Sequence, residues 1–198
     1  MKNKILLYAS CGFLLVSLCS FVIGKKISYK QKVNYFKENI GYTPYELMMT
    51  YTKAHEGYSE TWYKDGKVKN GKISYSIGYG INDHACKDRR HEIRKTYMVG
   101  NETNKELASK AVADYFKDKK KRLNESDIFK ETASLLHIYN RGSFKHIGRC
   151  CGKKSGIGCG SPNRDIKASH TKRRKFEYAL WHHNIEYVKC EMNDLKKN

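Results

Sequence analysis

Thr43-Pro44-Tyr45-Glu46, His55-Glu56-Gly57, Trp62-Tyr63-Lys64-Asp65 and Ile73-Ser74-Tyr75-Ser76-Ile77-Gly78-Tyr79-Gly80 follow one another within residues 43–80, and their reading decides the fold. A threonine three residues before a glutamate, with proline at the first helical position, is a capping box that opens a helix. Leu47, Tyr51 and Ala54 continue it at helical spacing, and Gly57 should stop it. Glu56 then sits in the last turn, beside carbonyls that have no helical partner. Past Trp62 the period changes. Asp65-Gly66 and Asn70-Gly71 are turn dipeptides, and Ile73, Tyr75, Ile77 and Tyr79 alternate with Ser74, Ser76, Gly78 and Gly80. A small antiparallel sheet is expected, bulky and apolar on one face and lined by small residues on the other. The small face would floor a cleft that lets a bulky ligand approach the backbone.

Downstream the pattern is helical. Thr103 to Glu106 reads as a second capping box, opening a helix with Leu107, Ala111, Val112, Tyr115 and Phe116 on one side and Lys119 to Arg122 at its end. Ile128, Phe129, Leu135, Leu136 and Tyr139 mark another helix ending near Gly142. Residues 150–162 are glycine-rich and read as a loop, and a last helix starts near Thr171 with Phe176, Ala179 and Leu180. A sheet followed by helices over residues 43–198 gives one α+β domain. Upstream, residues 27–42 are basic and polar, either a linker or the start of the first helix. In residues 1–26, Lys2 and Lys4 precede the uncharged run Ile5 to Ile23, and Lys25 and Lys26 follow it. That pattern reads as an N-terminal hydrophobic helix serving as an export signal or a membrane anchor.

The net charge of +19 over 198 residues would attract nucleic acid, anionic lipid or the phosphate and carboxylate groups of a cell envelope. An export leader argues against nucleic acid, and no finger, RNA-recognition or helix-turn-helix signature is present. Outside the leader, Cys86, Cys150, Cys151, Cys159 and Cys190 would form disulfides in an oxidising compartment, with one left over. The spacing of His146, Cys150, Cys151, Cys159 and His170 fits no standard zinc pattern, so no metal is expected.

Two carboxyl residues in unlike surroundings suggest paired chemistry. Cleavage of a glycosidic bond needs one protonated carboxyl as proton donor and an ionised group across the sugar. Glu56 at the negative pole of a helix should have a raised pKa and serve as the acid. Asp65, expected at a hydrated turn, should stay ionised as base or electrostatic stabiliser.

The same stretches, His55-Glu56-Gly57, Trp62 to Asp65 and Tyr75 to Gly80, resemble the signature of phage-type lysozymes, the endolysin muramidases of glycoside hydrolase family 24. Thr103-Asn104-Lys105-Glu106, Tyr139-Asn140-Arg141-Gly142 and Arg173-Arg174 with Glu177 are similar to later motifs of that family, in the same order. The resemblance covers roughly residues 43–181 and implies a lysozyme-like fold, with a small sheet lobe joined to a helical lobe and glycan bound between them. It implies Glu56 as acid, Asp65 as second carboxylate and Ser76 where the family's threonine hydroxyl positions water. Tyr75, Gly78, Tyr79, Gly80 and Asn140 are the expected substrate contacts, and Arg173 or Arg174 the partner of Glu56. Three departures stand out: a longer loop between Asp65 and Ser76, serine for threonine, and Ile81 where the family commonly has histidine, a role His84 either takes or leaves vacant.

The expectation is thus a monomeric, exported peptidoglycan hydrolase without cofactor. It would cleave between N-acetylmuramic acid and N-acetylglucosamine on the periplasmic or extracellular side, either free or tethered to the membrane. Inversion is the expected course, with carboxyl groups standing about 6.5 to 9.5 Å apart. The alternatives are a lytic transglycosylase using Glu56 alone and a non-catalytic cationic wall- or membrane-binding protein. Cys11 and Cys19 in the leader are either small apolar residues or thiols able to exchange into the domain during release from the membrane.

Overall fold

In the computed structural model, residues 27–67, 71–141 and 164–197 are described. The chain divides into two units between Lys32 and Val33. The elements run α1 (Tyr29–Ile40), α2 (Pro44–Glu56), β1 (Ser59–Lys67), β2 (Ile73–Gly78), β3 (Ile81–Asn82), α3 (Lys87–Tyr97), α4 (Lys105–Lys121), α5 (Ile128–Arg141), α6 (Arg164–Trp181) and α7 (Ile185–Lys197). The chain is α+β, with one antiparallel sheet in the order β1-β2-β3 among many helices. The leader, the glycine-rich loop, Cys150, Cys151 and Cys159 lie outside the described residues. Among those described, no helix is long and apolar enough to cross a membrane.

Helix α2 begins as its sequence dictates. The Thr43 side chain accepts from the Glu46 N–H at 3.2 Å, and Glu46 accepts from the Thr43 N–H at 2.7 Å, so two otherwise orphaned donors are satisfied. It ends against Gly57, whose φ of 67° is a conformation glycine adopts without strain. Leu47, Met48 and Tyr51 face the interior, and the Tyr51 ring stacks on Phe176 of α6 at 4.0 Å. The segment before α2 is not a linker near its end. Phe36 and Ile40 of α1 are buried, and Phe36 packs on Phe129 of α5 at 4.6 Å. Full burial of a side chain such as Phe36 contributes about 1.5–3 kcal/mol, which anchors α1 in the core.

Helix α5 is the centre of the helical part. Every residue from Glu131 to Ile138 is buried, as expected of a helix enclosed on all sides rather than lying on a surface. It is packed by α2, α4 and α6. Its polar members are partnered: Thr132 donates to the Ile128 carbonyl at 2.6 Å, and Glu131 accepts from Lys120 at 2.8 Å.

Several local expectations need correction. The cap of α4 is Asn104, which accepts from the Leu107 N–H at 2.8 Å, whereas the Thr103 hydroxyl donates to the Tyr97 carbonyl at 2.7 Å. A tertiary bond to the end of α3 has drawn Thr103 away from the capping role. Asp65-Gly66 is not a turn but part of β1. Lys64 opposes Tyr75 and Gly66 opposes Ser74, so Asp65 is the extra residue of a β-bulge, with Gly66 at φ 135°. The small-residue face of β2 is not an open floor either: Ser74 and Ser76 are buried, and a Cβ on Gly78 would lie 2.8 Å from the Ala108 Cβ. Glycine there lets α4 seat against the sheet. Helix α6 already runs from Arg164, and α7 follows it.

Candidate active site

Two carboxylates meet where α2 ends and the sheet begins. Glu56 is the last residue of α2, and its side chain is largely buried. Gly80, in the tight turn between β2 and β3, lies against it, so that a Cβ there would come within 3.2 Å of Glu56 Oε2. From α6, Arg173 Nη1 donates to Glu56 Oε1 at 2.7 Å, and Nη2 donates to the His55 carbonyl at 2.7 Å. One guanidinium thus neutralises the carboxylate and also caps an unpaired carbonyl at the negative end of α2.

The Glu56 carboxyl is nonetheless held above the ordinary glutamate range. Burial is the largest cause, Arg173 opposes it by charge and by hydrogen bond, and the Asp65 charge adds to the rise. The direction agrees with the sequence expectation, and desolvation is its largest cause. Beside it, the His55 ring packs tilted against Tyr51, with centroids 4.3 Å apart. Burial and the charges of Arg173 and Lys172 push its pKa down to about 4, and Nε2 has no hydrogen-bond partner among the described residues.

Asp65 is differently placed. The bulge exposes the residue and aims its carboxylate at β2 and β3. Ser76 Oγ donates to Asp65 Oδ2 at 2.7 Å, and Asn82 Nδ2 donates to the same oxygen at 2.7 Å and to Ser76 Oγ at 3.0 Å. Both bonds fall on Oδ2. Asp65 Oδ1 therefore remains open to solvent or ligand among the described contacts. Ser76 is buried, with its hydroxyl committed to Asp65. Residues 68–70 of the long hairpin lie outside the described residues, and Asp65 is in contact with Ser76.

Comparison with protein-family models, with curated proteins and with solved structures finds no match.

The other expected residues divide. Gly80 is at the Glu56 carboxyl, whereas Gly78 is a packing position against α4. Tyr79 is buried, packs on Tyr58 at 5.3 Å, and its carbonyl accepts from the Tyr139 hydroxyl. The Tyr75 ring lies under the Arg90 guanidinium at 4.5 Å, away from the Ser76 cluster. Among the described residues Asn140 reaches the site through Arg173, at 3.4 Å. Arg174 turns away from Glu56. His84 is exposed, and its backbone N–H donates to Asn82 Oδ1 at 2.6 Å.

Two residues escaped the sequence reading. Asn82 binds both Asp65 and Ser76, and stands directly after the isoleucine noted as a departure. The buried Asp83 accepts from the N–H groups of Tyr75 at 2.9 Å and Ala85 at 2.8 Å, and pairs with Arg90. Burial pushes the Asp83 carboxyl up, but these bonds outweigh it and hold it below the ordinary range. An Asn-Asp pair directly after a strand was the available signal, since such residues commonly bond to nearby backbone. Among the described residues no group of side chains is arranged to hold a metal.

Proposed function

We propose that this chain is a lysozyme-type glycosidase that cuts peptidoglycan glycan strands, with Glu56 as acid and Asp65 as the second carboxylate. The observation that carries the reading is the contrast between the two groups. Glu56 is buried with a raised pKa, and Asp65 is exposed and held by two neutral donors with one oxygen open. A pair whose environments differ in this way divides acid and base roles.

In this mechanism protonated Glu56 gives its proton to the glycosidic oxygen as the bond to the anomeric carbon breaks. Water then adds to that carbon and passes its proton to Asp65, so the product is inverted. Arg173 stabilises the Glu56 carboxylate left behind. Ser76 and Asn82 hold Asp65 through Oδ2. The order of motifs resembling phage-type lysozymes supports the same reading, and the net charge of +19 suits an anionic wall. Residues 1–26 would deliver the domain to the outer side of the membrane.

The test is mass spectrometry of purified peptidoglycan digested by the full chain and by Glu56→Gln. The amide keeps an acceptor for Arg173 but has no proton to give. Release should fall by at least roughly 10²-fold with thermal unfolding little changed. New reducing ends support hydrolysis, anhydro ends would replace it with transglycosylation, and undiminished release by the variant would overturn the role of Glu56.

A further inference from the structure

Behind Arg173 lies a buried cluster of polar side chains, with an Arg–Glu ion pair, that proton transfer does not use. Arg174, Glu177 and His137 have side-chain exposures of 1%, 0% and 1%. Arg174 Nη2 lies 2.6 Å from Glu177 Oε1, Arg174 Nη1 lies 2.6 Å from His137 Nδ1, and that nitrogen is 3.0 Å from Glu177 Oε2. Burying such charges costs several kcal/mol per ion before pairing repays it. An apolar interface between α5 and α6 would hold the helices together as well, so stability alone gives little reason for the cluster.

Its connection to the site gives one. Asn140 lies one helical turn beyond His137 on α5, and Arg173 directly precedes Arg174 on α6. Asn140 Nδ2 donates to Glu177 Oε1 at 2.7 Å, and Asn140 Oδ1 accepts from Arg173 Nη1 at 3.4 Å. The two contacts demand the same amide orientation. A flipped amide would set oxygen against the carboxylate and N–H against the guanidinium. Among the described residues Arg173 Nε is buried without a hydrogen-bond partner, and the fork is held at its two terminal nitrogens, by Glu56, the His55 carbonyl and Asn140.

We propose that Asn140 is a positioning residue: gripped by the buried Glu177 carboxylate, it keeps the Arg173 guanidinium in register with Glu56. The importance of that register for catalysis rests on the proposed glycosidase function. Sequence reasoning placed Asn140 among the glycan contacts, but both ends of its amide are engaged by the protein. The groups whose charge or hydroxyl acts at Glu56 are Arg173 from α6, Asp65 and Tyr63 from β1, and Tyr139 from α5. Of these, Arg173 alone is a cation. Loosening Arg173 therefore moves the Glu56 titration upward.

The experiment titrates the Glu56 carboxyl carbon by NMR in the full chain, with Glu56→Gln to assign the signal. Asn140→Ala should raise the midpoint by about half a pH unit, and binding to sedimented cell-wall sacculi should stay within about two-fold of wild type. In an Arg173→Met background the same change should produce no further shift, because the coupling runs through Arg173. If Asn140→Ala does not fold, Asn140→Ser, too short to bridge, gives the same reading. An unmoved midpoint overturns the proposal, and if wall binding falls as well, Asn140 touches the glycan instead. The titration needs no turnover, so a chain that releases no new ends from peptidoglycan would defeat the glycosidase reading and leave the positioning result standing.

Discussion

The Glu56 side and the Asp65 side of the site are built on opposite principles. Glu56 is fixed by helices: α2 presents it, α6 supplies its cation, and α5 supplies the amide that touches that cation. Asp65 is fixed within one hairpin, by a bulge in β1 and by hydroxyl and amide donors from β2 and β3. Ionising the first carboxyl is opposed by burial and assisted by a single guanidinium, so its protonation state depends on long-range packing. The second is solvated and held by neutral groups, and its placement depends on local backbone geometry. The two groups are therefore under separate structural control, which the proposed division of acid and base roles requires.

Asp65→Asn is the strongest way to break this comparison. If Asp65 accepts a proton from water, strand cleavage should fall by roughly 10²-fold, measured as reducing ends released per enzyme. The amide still accepts from Ser76 and Asn82, so the fold should persist. A loss of only a few-fold would leave Glu56 acting alone and make the Asp65 side structural.

Arg173→Met sharpens it next. Arg173 lowers the Glu56 pKa against burial, so without it the alkaline limit of the pH–rate profile should move upward by about one unit. The same shift appears in stability. A carboxyl whose folded pKa lies above its unfolded value contributes fully below the unfolded pKa, and the contribution is lost as pH rises through the folded one. Thermal unfolding of Arg173→Met should therefore fall more steeply than wild type as pH rises above the ordinary glutamate range, and Glu56→Gln should remove that slope. A pH limit that stayed in place would show that Arg173 does not govern Glu56.

The smallest effect is expected at Asn82. Asn82→Ala removes one of the two donors to Asp65 Oδ2 and leaves Ser76, so activity should drop by about three- to ten-fold with the pH limit unmoved, the loss expected for one hydrogen bond of about 1 kcal/mol. A shift of the pH limit in this variant would mean that the two halves of the site are not separately controlled.

What could be read without a structure was whatever neighbouring residues decide. The capping box at Thr43 to Glu46 and the glycine at 57 place Glu56 at a helix end because caps and stops are satisfied within a few residues. The alternation from Ile73 to Tyr79 places Ser76 in a strand for the same reason. Where residues far apart compete for a group, local rules misjudged it. Thr103 surrendered the cap to Asn104 because the Tyr97 carbonyl was near, and Asp65-Gly66, a turn by composition, became a bulge because β2 pairs across it.

The choice between Arg173 and Arg174 was beyond local pattern. Adjacent helical residues point about 100° apart, so only the packing of α6 on α2 and α5 decides which faces Glu56 and which enters the core with Glu177. The sequence by itself determined the two carboxyl residues and the helix that carries Glu56, since those follow from short-range hydrogen bonding and periodicity. Only the tertiary structure decided which cation answers Glu56, that burial is the largest cause of its raised pKa, and that Asn82 holds Asp65. Desolvation and ion pairing depend on residues brought together across the chain, and no local pattern records them.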